Sequence, residues 1–281
     1  MIHYGLDGRV ILVTGGGSGI GRAAGLMAAA SGAAIGVGDV RAEAAEAVAA
    51  EITAGGGRAL ALPFDVADDA ATEAAFAACA AALGEVDGLV ACAGISRPAA
   101  AEDIADADWD AMMAINLTGC FLSCRAAGRS MLRLGRGSIV TIASTDALGG
   151  HSGRLHYAAS KHGVVGITKT LALEWGRFGV RVNSVAPGPV DTPLLHAGVP
   201  GSYLDGVLVD RTPLARLADA TQLAHAILFL LSDAAAQITG VLLPVDGGMN
   251  TGYFNRWHGA DLGSQSLLDS GAYAVPAGAR A

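Results

Sequence analysis

Tyr157 and Lys161 stand four residues apart in the stretch "SGRLHYAASK". On a helix rising about 1.5 Å per residue, that spacing puts a phenol and an ammonium on one face, roughly 6 Å apart. An ammonium beside a phenol stabilises the phenolate, and a phenolate is a general base. The same pair also arises as a plain surface contact, so its chemistry needs support from elsewhere in the chain. Ser144 ends the apolar run "GSIVTIAS" thirteen residues before Tyr157. Its hydroxyl is suited to fix an oxygen that gains or loses a proton.

A second set of residues suits a phosphate. "VILVTGGGSGIG" passes from an apolar run into a glycine cluster and on into helix-forming sequence. Gly15, Gly19 and Gly21 let the backbone turn sharply and approach a pyrophosphate, with Ser18 and Ile20 in the same turn and the next helix offering its free N–H groups. Asp39 closes the second apolar run, about 20 residues on, where a ribose hydroxyl needs an acceptor. A carboxylate there accepts from the ribose of NAD and repels the extra phosphate of NADP. NAD is the expected cofactor, and Arg41, the cation nearest Asp39 in sequence, keeps NADP open.

These residues need elements to hold them. Seven short, nearly all-apolar runs, from "RVILVT" to "GVLLPVDGG", alternate with helix-length stretches such as 19–31, 41–54, 68–83, 108–134, 157–178 and 219–231. Runs of this kind suit strands buried on both faces. The pattern predicts an α/β fold, a doubly wound Rossmann-type parallel sheet of seven strands flanked by helices, with ligands beyond the carboxyl ends of the strands. No linker-like stretch divides the chain, so residues 1–252 are expected to form one nucleotide-binding and catalytic domain and 253–281 a C-terminal extension.

The bulk properties narrow the partner. The chain of 281 residues is 52% hydrophobic and 16% charged, with a formal charge of −8 and a pI near 5.2. That balance opposes an electrostatic grip on nucleic acid or anionic lipid, and points to a small molecule. Ala and Gly supply much of the mean hydropathy of +0.44, and no apolar run approaches the roughly 20 residues that span a bilayer. The N-terminus "MIHYGLDGRV" carries no export signal, so a cytoplasmic location is expected. Cys79, Cys92, Cys120 and Cys124 form no C-x-x-C pair, and read as buried free thiols, with no metal site and no disulfide.

Taken together the motifs resemble the short-chain dehydrogenase/reductase family of single-domain enzymes, over about residues 6–252. The resemblance rests on "TGGGSGIG", Asp65–Val66, "ACAG" at Ala91–Gly94, Asn116 in "INLTG", Ser144, "YAASK" and "PGPVDT" from Pro187 to Thr192. It implies that Tyr157 is the acid/base, that Lys161 supports it and holds the nicotinamide ribose, and that Ser144 binds the substrate oxygen. Asn116 would support a water chain to Lys161. Asp65 and Val66 would lie at the adenine, with Ala93 and Gly94 on the cofactor. A loop from Asn183 to Thr192, with Pro187, Gly188, Val190 and Thr192, would lie beside the nicotinamide. Where the family often has two asparagines this chain has Ala91 and Cys92, which implies altered packing.

The expected activity is NAD-dependent interconversion of a secondary alcohol and a ketone. The alternatives are an NADPH-dependent 3-ketoacyl-thioester reductase and a non-catalytic NAD-binding regulator. The stretch 196–217, mixing Gly, Pro and apolar residues, suits a lid with an apolar underside from Leu194, Leu195, Tyr203, Leu204 and Val207, favouring a hydrophobic or cyclic substrate. Of the nearby histidines, His156 and His162 are given no role, while His151 and Arg154, between Ser144 and Tyr157, are candidate substrate contacts, as is Leu195. Trp109, Trp175, Met112 and Met113 read as core or interface anchors. Tyr253, Phe254, Trp257 and Tyr273 concentrate aromatics in the extension, which the resemblance places near a subunit contact of a homotetramer.

Overall fold

The computed structural model describes residues 3–252 and the backbone of Arg256–Trp257 and Ala260–Asp261, two short antiparallel segments. The aromatic residues Tyr253, Phe254 and Tyr273, and the side chain of Trp257, lie outside the described residues.

β1 (Val10–Thr14) is buried along its whole length, because it is central and covered on both faces. Its side chains alternate. Ile11 and Val13 enter one core with α1 (Gly19–Ala30) and α2 (Ala42–Ala54), whereas Val10 and Leu12 enter the other with α3 (Asp69–Leu83). The remaining strands are β2 (Ala34–Asp39), β3 (Arg58–Pro63), β4 (Gly88–Ala91), β5 (Gly137–Ile142), β6 (Val180–Pro187) and β7 (Leu242–Val245). All seven are parallel, in the order β3-β2-β1-β4-β5-β6-β7, as the alternation of runs predicts.

The order reverses between β1 and β4, which opens a crevice at their carboxyl ends. This seam is pinned at both ends. At the amino end Asp87 Oδ1 accepts from Val10 N at 3.0 Å, and the Asp87 carboxylate pairs with Arg9 at 2.9 Å. At the carboxyl end the Thr14 hydroxyl accepts from Cys92 N and Ala93 N.

The stretch expected to be one helix over 108–134 is interrupted. α4 (Asp106–Met113) passes into a π turn, Ala114–Thr118, before α5 (Gly119–Leu134). The wide turn adds a residue to the circuit and directs Asn116 into the interior. α6 (Leu155–Trp175) begins two residues before Tyr157. Trp175 packs on α5, where a Cβ at Gly128 would come within 2.5 Å of its ring.

Beyond β6 lie α7 (Pro193–Gly198), α8 (Gly201–Tyr203) and a second π turn, Leu204–Val209. Val199, Leu204 and Leu208 are buried there in a small cluster of their own, joined by Leu195, Tyr203 and Met249. This cap is therefore packed on itself rather than tied into the main core. α9 (Ala220–Leu231) returns to lie beside α1, whose Ala23, Ala24 and Ala28 accept the close approach of Leu223 and Ile227.

Candidate active site

A cleft of about 570 Å³ runs along the carboxyl ends of the strands and reaches from the glycine turn to the cap. At one end the backbone of the turn is exposed to it because the glycines carry no side chain. Gly15 has φ of 66°, and a Cβ there would lie 2.8 Å from Ala93 Cα. Gly21 does not line the cleft. A Cβ on it would sit 2.2 Å from Gly15 O, so it serves by letting the helix pack against the turn. Ser18, Gly19 and Ile20 do line it.

Asp39 is buried at the tip of β2. Its Oδ2 accepts from Gly17 N at 3.0 Å and its Oδ1 from Arg41 N at 3.0 Å. The carboxylate thus ties the glycine turn to the second strand. The Arg41 guanidinium bridges Asp39 Oδ1 and Ser18 Oγ, at 3.4 and 3.2 Å. Asp65, Val66, Ala93 and Gly94 line the adjoining wall. Cys92 lies there too and is half-buried rather than buried as expected; desolvation of its sulfur pushes the thiol up to about 11. Cys79, Cys120 and Cys124 are buried free thiols.

Farther along, Ser144, Tyr157 and Lys161 meet in the same cleft. β5 ends just before Ser144, whose Oγ accepts from Asp146 N at 3.1 Å, and α6 presents the other two. The buried Lys161 Nζ donates to Ile142 O at 2.8 Å and lies 5.6 Å from the Tyr157 ring centroid. Asn116 is behind the cleft. Its Oδ1 accepts from Ile95 N at 2.8 Å, and its Nδ2 donates to Ile95 O and to Ser160 Oγ. Gly94 separates Asn116 from Lys161: a Cβ there would stand 3.2 Å from Asn116 Oδ1 and 3.7 Å from Lys161 Nζ.

Pro187, Gly188, Val190 and Thr192 line the cleft. Asn183 does not belong to this loop. It lies inside β6, where it donates to Ile238 O and accepts from Val241 N to brace β6 against the chain entering β7. Thr192 caps α7 through Leu195 N.

His151 has both ring nitrogens engaged by protein. Nδ1 lies 3.3 Å from Asp146 Oδ1, and Nε2 lies 2.9 Å from the Tyr203 hydroxyl in the cap. The Asp146 carboxylate is thus linked through His151 to Tyr203, while the backbone N–H of the same residue reaches Ser144. Sequence reasoning missed Asp146, for which only its position two residues after Ser144 offers a signal, and it gave Tyr203 an apolar role. Leu195 lines the apolar side of the cleft with Leu194, Leu208 and Met249. Ser96 and Arg154 line the cleft as well, with the Arg154 guanidinium donating to Ser96 Oγ. His156 is fully buried outside the cleft lining, as is Met112, while Trp109 is exposed on α4. Among the described residues no cluster of His, Cys, Asp and Glu could hold a metal, and no helix is long and apolar enough to cross a membrane.

A family model described as enoyl-(acyl carrier protein) reductase, of the short-chain type, matches residues 15–250, from the glycine turn through the cap. The chain belongs to the short-chain dehydrogenase/reductase family. Among relatives of this family, D-threitol dehydrogenase of Mycolicibacterium smegmatis is 46% identical over 243 residues, covering 86% of this chain and 93% of that protein. The cis-4-hydroxycyclohexanecarboxylate dehydrogenase of Sinomonas cyclohexanicum is 42% identical, covering 85% of this chain and 96% of that protein. A solved gluconate 5-dehydrogenase from Burkholderia cenocepacia, in complex with NADP and tartrate, superposes with a TM-score of 0.86 at 36% identity, covering 89% and 98% of the two chains. Such family members share the oxidoreductase chemistry of alcohols and ketones.

Proposed function

We propose that this short-chain dehydrogenase/reductase interconverts a secondary alcohol and a ketone with NAD as its cofactor. One observation carries the reading: Ser144, Tyr157 and Lys161 share a single cleft with the glycine turn and Asp39. The cradle fits a dinucleotide, because Gly15, whose Cβ would collide with the Ala93 backbone, lets the turn close against β4 with its own backbone bare to the cleft, and Asp39 would meet the ribose. The glycine turn with Ser18, Gly19 and Ile20 would hold the phosphates, Asp39 the adenosine ribose, Asp65 and Val66 the adenine, and Val190 and Thr192 the far end. When bound, the nicotinamide supplies the hydride acceptor for oxidation and the donor for reduction.

Tyr157 takes the hydroxyl proton of the alcohol, and returns it in the reverse direction. Lys161, held on Ile142 O, keeps a positive charge beside the phenolate as it forms. Ser144 orients the substrate oxygen, with its own lone pairs set by Asp146 N. Asn116 brackets Ile95 through both its amide atoms and so fixes the wall on which Lys161 rests.

A cleft that combines an apolar wall with the polar groups of Ser96 and Arg154 suits a compact ring or polyol that carries a second oxygen. The names of the threitol and hydroxycyclohexanecarboxylate relatives agree with that class. Turnover of a panel of ring and open-chain secondary alcohols, followed by NADH and NADPH absorbance, tests the reading, and no turnover despite tight NADH binding would favour a regulator. Asp39 supports NAD over NADP. Asp39→Ser should shift the kcat/KM preference toward NADP at least tenfold, about 1.4 kcal/mol, and a wild type that uses both cofactors equally would refute the assignment.

We also propose a cytoplasmic homotetramer. Phe121, Leu132 and Leu134 on α5, and Leu173 near the end of α6, are exposed apolar groups on the outer helical layer and would be covered by a second subunit.

A further inference from the structure

Among the charged groups lining the cleft, two cations, Lys161 and Arg154, have no carboxylate partner among the described residues, and Lys161 is already taken up by Ile142 O and Tyr157. Asp39 accepts from Gly17 N and Arg41 N, and Arg41 pairs with Asp39 and Ser18. Asp65 accepts from Ala67 N, Asp146 pairs with His151, and Lys161 donates to Ile142 O. Arg154 donates only to the neutral Ser96 hydroxyl, and no carboxylate among the described residues lies within 4.0 Å of it.

Its position gives that unmatched charge a purpose. The guanidinium carbon lies 6.0 Å from the Tyr157 ring centroid, and Arg154 lines the same cleft. Its backbone is fixed, because Arg154 N donates to His151 O and Arg154 O accepts the first helical bond of α6, from Ala158 N at 2.8 Å. A guanidinium has five N–H donors in a planar fork, and most of these point to no protein acceptor. Leu194, Leu195 and Leu208 line the same cleft and give it an apolar wall. Arg154 is only half-buried there, so its free N–H groups are open to a ligand that enters the cleft, and a carboxylate meets a guanidinium fork more strongly than water does.

We infer that Arg154 anchors a carboxylate of the substrate, so that the alcohol oxidised at Tyr157 is a hydroxy acid and the product an oxo acid. The inference rests on the alcohol oxidation proposed above and adds the substrate's charge. The carboxylate takes no part in bond making. The carbinol C–H hydride goes to the nicotinamide, the hydroxyl proton goes to Tyr157, and the carboxylate stays on the Arg154 fork as a bidentate acceptor.

Binding separates this claim from turnover. Cyclohexanecarboxylate and cyclohexanecarboxamide, neither of which can react, are titrated calorimetrically into the full chain saturated with NADH. The acid should bind at least tenfold more tightly than the amide. Arg154→Gln should abolish the difference, and Arg154→Lys should retain part of it, with the Kd for NADH unchanged in both. Equal binding of acid and amide to the wild type, no detectable binding of the acid, or an acid preference that survives in Arg154→Gln would each overturn the inference. If alcohols of every charge fail to turn over while the acid preference persists, the oxidoreductase reading falls and the carboxylate anchor stands.

Discussion

Tyr157 is the residue at which the chemistry can be isolated with the least disturbance. Tyr157→Phe keeps the ring beside Lys161 and Arg154 and removes only the oxygen proposed to exchange a proton. Turnover should fall by roughly 10² or more, while the Kd for NADH stays near the wild-type value. Stopped-flow oxidation of the best alcohol and fluorescence titration of NADH measure the two quantities. Retention of a tenth or more of the wild-type rate would move the proton transfer elsewhere. The residues on which this rests were legible in the sequence because each belongs to a local pattern: a glycine turn, a phenol and ammonium four apart, a serine ending a strand. Arg154 and His151 were visible only as candidates. Their roles depend on Ser96 and Tyr203, which are distant in sequence and come beside them only through folding.

At the scale of elements, the cap, with its own small apolar cluster, reaches the loop after β5 through the hydrogen bond between Tyr203 and His151. Tyr203→Phe removes that bond and leaves the ring stacked near His151, so the cap should open more readily. KM for the alcohol should rise about three- to tenfold with kcat nearly unchanged. His151→Phe should cost a similar amount, and the double variant little more than either single change, as expected for one shared interaction. Additive effects would mean that the two side chains act separately. The strands and most helices followed from apolar runs and their spacing, and all seven strands formed where those runs lie. The π turn at Ala114–Thr118 did not, because "AMMAINLTGCF" has ordinary helical composition and the bulge is selected by the tertiary demand to seat Asn116 against Ile95. Asn183 was assigned to the loop by the family resemblance alone, whereas the apolar run that contains it forms β6 and its amide joins two strands.

For the molecule as a whole, the exposed apolar side chains of α5 and α6 bear on assembly. Leu173 is 85% exposed. Leu173→Asp places a charge where a second subunit would have to exclude water, so size-exclusion chromatography should show a smaller species at micromolar concentration. An unchanged elution volume would remove this face from any interface. The seam between β1 and β4 has a different bearing, on how the active enzyme arises. Strands β1–β3 and β4–β7 each follow one another along the chain as neighbours, whereas β1 must wait for β4 to be made and brought back across the length of β2 and β3. Closing that long loop is entropically late, so each half can acquire secondary structure before the two join. Since the glycine turn and the Ser144 loop stand on opposite sides of the seam, recovery of activity after dilution from denaturant should lag behind far-ultraviolet circular dichroism. Asp87→Asn, which weakens the pin to Arg9 at the amino end, should lengthen that lag. Simultaneous recovery of the two signals would mean that the halves fold as one.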